Sequence, residues 1–254
     1  MGKKNNSRQR IKTLIKMNIY EIYANRRSGH HFFLSWFISN TNEVKDTITK
    51  DLNRISHLPN NSYHFNDPMY HAFFNKTQVY EDVSDIVNKE PNNFYLNYEE
   101  GNVNDSVIEK NNTVKIVFLR DFLNTFASKW RVSNGSLREF YFGFQKEEQI
   151  IENIYTWKQN AKSYLSDNFV KLRYEDLIGD KKNREQFLIK NFNKKEVFEP
   201  DTLNGTKSSF ETTDFNHRYK EVQFSKMFKE ITNSDKELNN LISELGYNKI
   251  ESIL

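Results

Sequence analysis

Apolar positions along this chain alternate between two rhythms. Residues 18–24, 62–65, 94–98, 114–119 and 169–174 form short runs rich in β-branched and aromatic side chains, the signature of buried strands. Between them the apolar residues recur at helical spacing: Val44, Ile48, Leu52, Ile55; then Phe122, Phe126, Trp130; then Ile150, Ile154, Trp157, Ala161, Leu165. Residues 30–38 read as a helix with Phe33, Trp36 and Phe37 on one side. A last helix over 236–245 carries Leu238, Leu241, Ile242 and Leu245 and stops at Gly246, a residue suited to the left-handed position after a helix. Strands alternating with helices predict an α/β fold of three layers, a central parallel sheet of about five strands flanked by helices. In such sheets ligands sit where strands end and helices begin.

Composition narrows the picture. The chain has 254 residues, 37% of them hydrophobic, enough for one large core. Residues 1–17 are basic and polar and are expected to be disordered, with 18–254 as one domain. Net charge is +3, from 37 basic and 34 acidic residues, too balanced for a protein that coats nucleic acid by bulk electrostatics. Any anion site must be local. There are no cysteines, so disulfides, zinc-thiolate sites and thiol nucleophiles are excluded. No apolar run approaches the roughly 20 residues that span a membrane, and no signal-like apolar segment opens the chain. These features lead us to expect a cytoplasmic protein that engages neither membrane nor nucleic acid; oligomeric state is not legible.

The first strand ends in Asn25-Arg26-Arg27-Ser28-Gly29, followed by the helix that begins near His30. A glycine in such a turn lets backbone N–H groups converge, and the helix start adds unpaired donors and a partial positive charge, which together hold a phosphate. Arg27 supplies a permanent cation that can offset charge on a leaving group. The alternative is an ordinary turn in which Ser28 caps the helix and both arginines are solvated. The motif is not a Walker loop, since no Gly-x-x-x-x-Gly-Lys-Ser/Thr occurs, which disfavours a metal-dependent nucleotidase. His30 and His31 are adjacent on a helix and face apart, so a metal site is not expected.

A second constellation lies at the end of the fourth strand, where Arg120 is followed by Asp121 and then by a helix with Ser128 eight residues on. Arg120 and Ser128 can face one crevice and clasp a second phosphate. Alternatively, Arg120 pairs with Asp121 and Ser128 is a small packing residue.

Taken together, the Arg26-Arg27-Ser28-Gly29 turn, the run from Phe118-Leu119-Arg120-Asp121 to Ser128, and Tyr174-Glu175-Asp176-Leu177 at the end of a later strand resemble three motifs of the sulfotransferases, in family order. That family transfers a sulfuryl group from 3′-phosphoadenylyl sulfate (PAPS) on a P-loop NTPase-like fold. The first loop is closest to the carbohydrate-type form, and Leu245-Gly246-Tyr247 is similar to a common family ending. The resemblance implies that Arg26, Arg27, Ser28, Gly29, His30 and His31 hold the 5′-phosphosulfate and that Arg120 and Ser128 hold the 3′-phosphate. It further implies that Phe32 lies against the adenine, that Tyr174 hydrogen-bonds the base, and that Lys207 and Ser208 complete the 3′-phosphate site. His30 and His31 depart from the family's Ser or Thr, and Phe122 from its usual proline.

Sulfuryl transfer needs in-line placement and charge stabilisation, which Arg27 can supply without a metal, and a general base for the acceptor. The resemblance places that base at the end of the strand before the 3′-phosphate strand, here Glu99; His64 and His71 are alternatives. The acceptor is expected to be a small molecule or glycan. Two other functional classes fit the same turns less well: another P-loop-like transferase or kinase, and a non-catalytic anion-binding module.

Overall fold

The computed structural model describes residues 18–25, 28–41, 62–65, 93–99, 113–133, 146–194, 196–199, 219–248 and 250. Five strands, β1 (Ile19–Ala24), β2 (Ser62–Phe65), β3 (Phe94–Glu99), β4 (Thr113–Leu119) and β5 (Val170–Arg173), form one sheet in the order β2-β3-β1-β4-β5. Every pairing is parallel. Ile19 stands opposite Phe94 and Thr113, and Ala24 opposite Glu99 and Phe118. All strands therefore end on the same edge, and β1, with β4 and β3 on its flanks, delivers the first turn to the middle of that edge.

Both faces of the sheet are covered, which is why the strands read as nearly continuous apolar runs. On one face Tyr20, Ile22 and Ala24 of β1, with Ile116, Phe118 and Leu172, meet α1 (His30–Thr41), α4 (Tyr174–Ile178) and α5 (Lys181–Phe192). On the other, Leu119 joins α2 (Phe122–Ser133), α3 (Glu147–Leu165), α6 (Lys226–Ser234) and α7 (Lys236–Glu244). This is the three-layer α/β arrangement, a central parallel sheet between helices, that the alternating rhythm predicts.

The α1 layer is aromatic. Phe33 stacks on Phe118 with ring centroids 4.8 Å apart, and Phe37 meets Tyr20 edge-on at 5.1 Å. The sequence predicts a helix with one apolar side; instead Phe32, Leu34 and Ile38 are buried as well as Phe33, Trp36 and Phe37. A helix enclosed on nearly all sides is apolar nearly all round. Truncating one such ring to alanine costs about 3–5 kcal/mol, so α1 is rigidly seated.

Two elements differ from expectation. The last strand stops at Arg173, and Tyr174 is already the first residue of α4. Helix α5 carries weak apolar periodicity and is set by its cap, Asp180 accepting from the Lys182 N–H at 2.9 Å; α6 turns Met227, Phe228 and Ile231 to the core and is capped by Ser225, which accepts from the Phe228 N–H at 3.2 Å. Gly246 has φ of +72°, and the Tyr247 N–H returns to the Ile242 carbonyl at 3.0 Å, closing α7 as its sequence predicts. The helix expected over 44–55 and the segment 1–17 lie outside the described residues. Among the described residues no helix is long and apolar enough to cross a membrane.

Candidate functional site

The first turn is built tightly and leaves polar atoms over. The Ser28 N–H donates to the Asn25 carbonyl at 3.2 Å, Gly29 adopts φ of +87°, and the Phe33 N–H donates to the Gly29 carbonyl at 3.1 Å, starting α1. Asn25, Ser28 and His30 are all buried. The side-chain amide of Asn25 and the hydroxyl of Ser28 have no hydrogen-bond partner among the described residues. Ser28 is therefore not the helix cap that an ordinary turn would make of it. Leaving a buried polar group unmatched costs about 1–3 kcal/mol, a cost that a ligand bonding these atoms removes. Arg26 and Arg27 lie outside the described residues, as do His71, Lys207 and Ser208.

The second turn is capped and braced from within. The Asp121 carboxylate accepts from the Asn124 N–H at 2.8 Å and from the Asn124 side chain at 2.9 Å, which makes it the cap of α2. The Asp121 N–H donates to Glu175 Oε1 at 3.0 Å, and the Trp157 indole donates to the Arg120 carbonyl at 3.1 Å. Phe122, where the family commonly has proline, packs edge-on against Trp157 at 5.2 Å. Arg120 and Ser128 are both 3% exposed. Two further buried residues of α2 carry no signal in the sequence. Thr125 shares a face with Asp121 and Ser128, and Lys129 donates to Asn153 Oδ1 at 2.7 Å with its ammonium 5.5 Å from the Phe126 ring.

Tyr174 joins the two turns. A Cβ placed on Gly29 would lie 2.3 Å from Cε2 of Tyr174, so the glycine backbone rests against that ring. The Arg120 guanidinium sits 4.3 Å from the centroid of the same ring, a cation–π contact. The three segments singled out in the sequence thus meet around one aromatic side chain. Behind them, the second oxygen of Glu175 accepts from the Tyr247 hydroxyl at 3.2 Å, and the Arg173 guanidinium lies 5.1 Å from the Tyr247 ring, which ties the Leu245-Gly246-Tyr247 ending to the site.

Burial sets the electrostatics. It pulls Arg120 below the ordinary arginine range, while Tyr174, Glu175 and Asp121 oppose the shift. Desolvation raises Glu175 above 4.5 despite the Asp121 N–H and Arg120, and burial lifts Tyr247 well above 10.0. An arginine keeps its charge under such shifts, so a buried cation stands at the end of β4.

The remaining residues singled out in the sequence are placed as follows. His31 is the second residue of α1, and Phe32, 1% exposed, belongs to the apolar cluster on the α1 face of the sheet. Glu99 ends β3 with its Cα paired to Ala24, one residue before the first turn. His64 lies in edge strand β2, its Cα paired to Asn97. Among the described residues no group of three or more His, Cys, Asp or Glu is placed to hold a metal ion.

No family model matches the chain, and no curated protein does. Among solved structures, it is similar to a sulfotransferase domain from the curacin biosynthetic pathway. The likeness covers 92% of this chain and 99% of that one, at 15% identity and a TM-score of 0.45.

Proposed function

We propose that the chain is a sulfotransferase that moves a sulfuryl group from PAPS to a hydroxyl or amine of an acceptor. The observation that carries this reading is the meeting of Gly29, Arg120 and Tyr174 around one ring, which sets two anion-binding turns side by side at the edge where parallel strands end. The buried and unmatched Asn25 amide and Ser28 hydroxyl suit a phosphosulfate at the first turn. Arg120 suits a second phosphate at the next.

In the reaction, the acceptor oxygen or nitrogen bonds to sulfur as the bond from sulfur to the 5′-phosphate oxygen breaks, and 3′-phosphoadenosine 5′-phosphate leaves with the electron pair. Arg27 offsets the charge that develops on that leaving oxygen. Glu99 takes the acceptor's proton, a role that fits its place beside Ala24 at the strand edge; His64 and His71 are the substitutes. The form of the first loop favours a sugar hydroxyl as the acceptor.

Titration of the protein with 3′-phosphoadenosine 5′-phosphate, with adenosine 5′-phosphate as control, tests the reading. The 3′-phosphorylated ligand should bind at least about tenfold tighter, the contribution of one charge-assisted contact. Equal affinities would sink the assignment. Arg27→Ala should lose turnover more than donor affinity, Arg120→Ala chiefly donor affinity, and Glu99→Gln turnover alone.

A further inference from the structure

Threonines inside helices ordinarily return their hydroxyl to the carbonyl four residues back. Three of the four in the described helices do so: Thr41 to Phe37 at 2.7 Å, Thr156 to Glu152 at 3.1 Å and Thr232 to Phe228 at 2.8 Å. Thr125 does not. Its side chain is fully buried, and its hydroxyl has no hydrogen-bond partner among the described residues. Nothing about solvent explains this, because Thr156 is exposed and still makes the bond. The Asp121 carbonyl receives the Thr125 N–H at 3.0 Å but no bond from the Thr125 hydroxyl.

The position of Thr125 gives the orphan hydroxyl a direction. It lies four residues after Asp121 and three before Ser128, so all three share one stripe of α2, while Phe122, Leu123, Phe126 and Ala127 turn to the apolar cluster. Side chains three apart on a helix have Cβ atoms about 5–6 Å apart. Two hydroxyls at that spacing can each reach a different oxygen of one phosphate at about 2.7 Å.

We propose that Thr125 is a further donor-binding residue, which with Ser128 grips the second phosphate from the helix side while Arg120 neutralises it from the strand end. The proposal rests on the reading of the chain as a PAPS-binding enzyme. It assigns to this one hydroxyl a share of the discrimination between nucleotides with and without a 3′-phosphate.

The test uses the full chain, Thr125→Val, which removes the hydroxyl at constant shape, and Thr125→Ser, which keeps it. Calorimetric titration with 3′-phosphoadenosine 5′-phosphate should show Thr125→Val weakened about 5- to 15-fold, Thr125→Ser within about twofold of wild type, and adenosine 5′-phosphate binding unchanged in both. Without ligand, Thr125→Val should melt no lower than wild type, since it loses an unmatched buried hydroxyl. Undiminished binding of the 3′-phosphorylated ligand by Thr125→Val, equal loss for both nucleotides, or a lowered melting temperature without ligand would each overturn the proposal. Absence of any 3′-phosphate preference in the wild type would instead bring down the donor reading on which it stands.

Discussion

The two turns at the centre of the sheet edge look alike in the sequence and are finished in opposite ways. At the end of β4, Asp121 caps its own helix, Glu175 receives the Asp121 N–H, and Trp157 holds the Arg120 carbonyl. At the end of β1, Asn25 and Ser28 are as deeply buried, yet their side-chain polar atoms have no partner among the described residues. At the second turn the backbone and the cap are matched by folding and the orphan hydroxyl, that of Thr125, sits on the helix behind it; at the first the orphans are side chains of the turn itself. The difference teaches that the β4 turn is braced as a scaffold that presents a cation, while the β1 turn leaves buried polar atoms whose matching would, on the proposed reading, come from a ligand rather than from the fold.

The contrast can be broken most forcefully at Gly29. Its φ of +87° and the Tyr174 ring 2.3 Å from a would-be Cβ leave no room for a side chain. Gly29→Ala should destabilise the protein by about 2–4 kcal/mol, measured by urea unfolding, because both the backbone and the ring must shift. A loss below half a kilocalorie, roughly the scatter of a neutral surface change, would show that the turn and Tyr174 are not locked together.

The next effect compares the turns directly. Asp121→Ala removes a satisfied cap and should cost about 1 kcal/mol without ligand. Ser28→Ala removes only an unmatched hydroxyl and should leave ligand-free stability within about 0.5 kcal/mol of wild type, or raise it. Similar losses from both would mean that the first turn is as self-sufficient as the second.

The smallest effect concerns the carboxylate behind the second turn. Glu175 is raised above 4.5 by desolvation, so the folded state binds its proton more tightly than the unfolded chain. Its contribution to stability is full below about pH 4.5 and declines as pH rises through the folded value. Asp176, raised by desolvation from 3.8, adds to the same trend. Glu175→Gln should flatten the fall in melting temperature as pH rises above 4.5; an unchanged slope would assign the trend elsewhere.

Much of the frame is legible in the amino-acid sequence. Five strands and helices α1, α2, α3 and α7 follow from apolar spacing, because parallel strands buried on both faces and helices packed on one side leave strong periodic traces. The traces fail where burial is slight: α5 buries only Arg184, Phe187 and Leu188, and its start is set by Asp180 rather than by any apolar stripe. At the site, the glycine turn and the Arg120 segment are visible as local strings. What brings them together is not. Gly29, Arg120 and Tyr174 come from three different strand ends, and no spacing announces that one ring lies against the other two. The resemblance implies a bond from Tyr174 to the base, and the structure adds a packing role for its ring. Asn25 and Thr125 are hidden for a related reason: whether a buried amide or hydroxyl is matched depends on its neighbours in space, not on its type.

The ring of Tyr174 also acts as a gauge. With the Gly29 backbone against it and the Arg120 guanidinium 4.3 Å from its centroid, it fixes the gap between the glycine turn and the buried cation, the two points that the proposed function makes anion sites. On that reading, a molecule carrying two anionic groups at the matching span would dock its second group at an effective concentration in about the millimolar range or above. One with the wrong span gains only a single grip. Selection by length would then be set by the thickness of an aromatic ring.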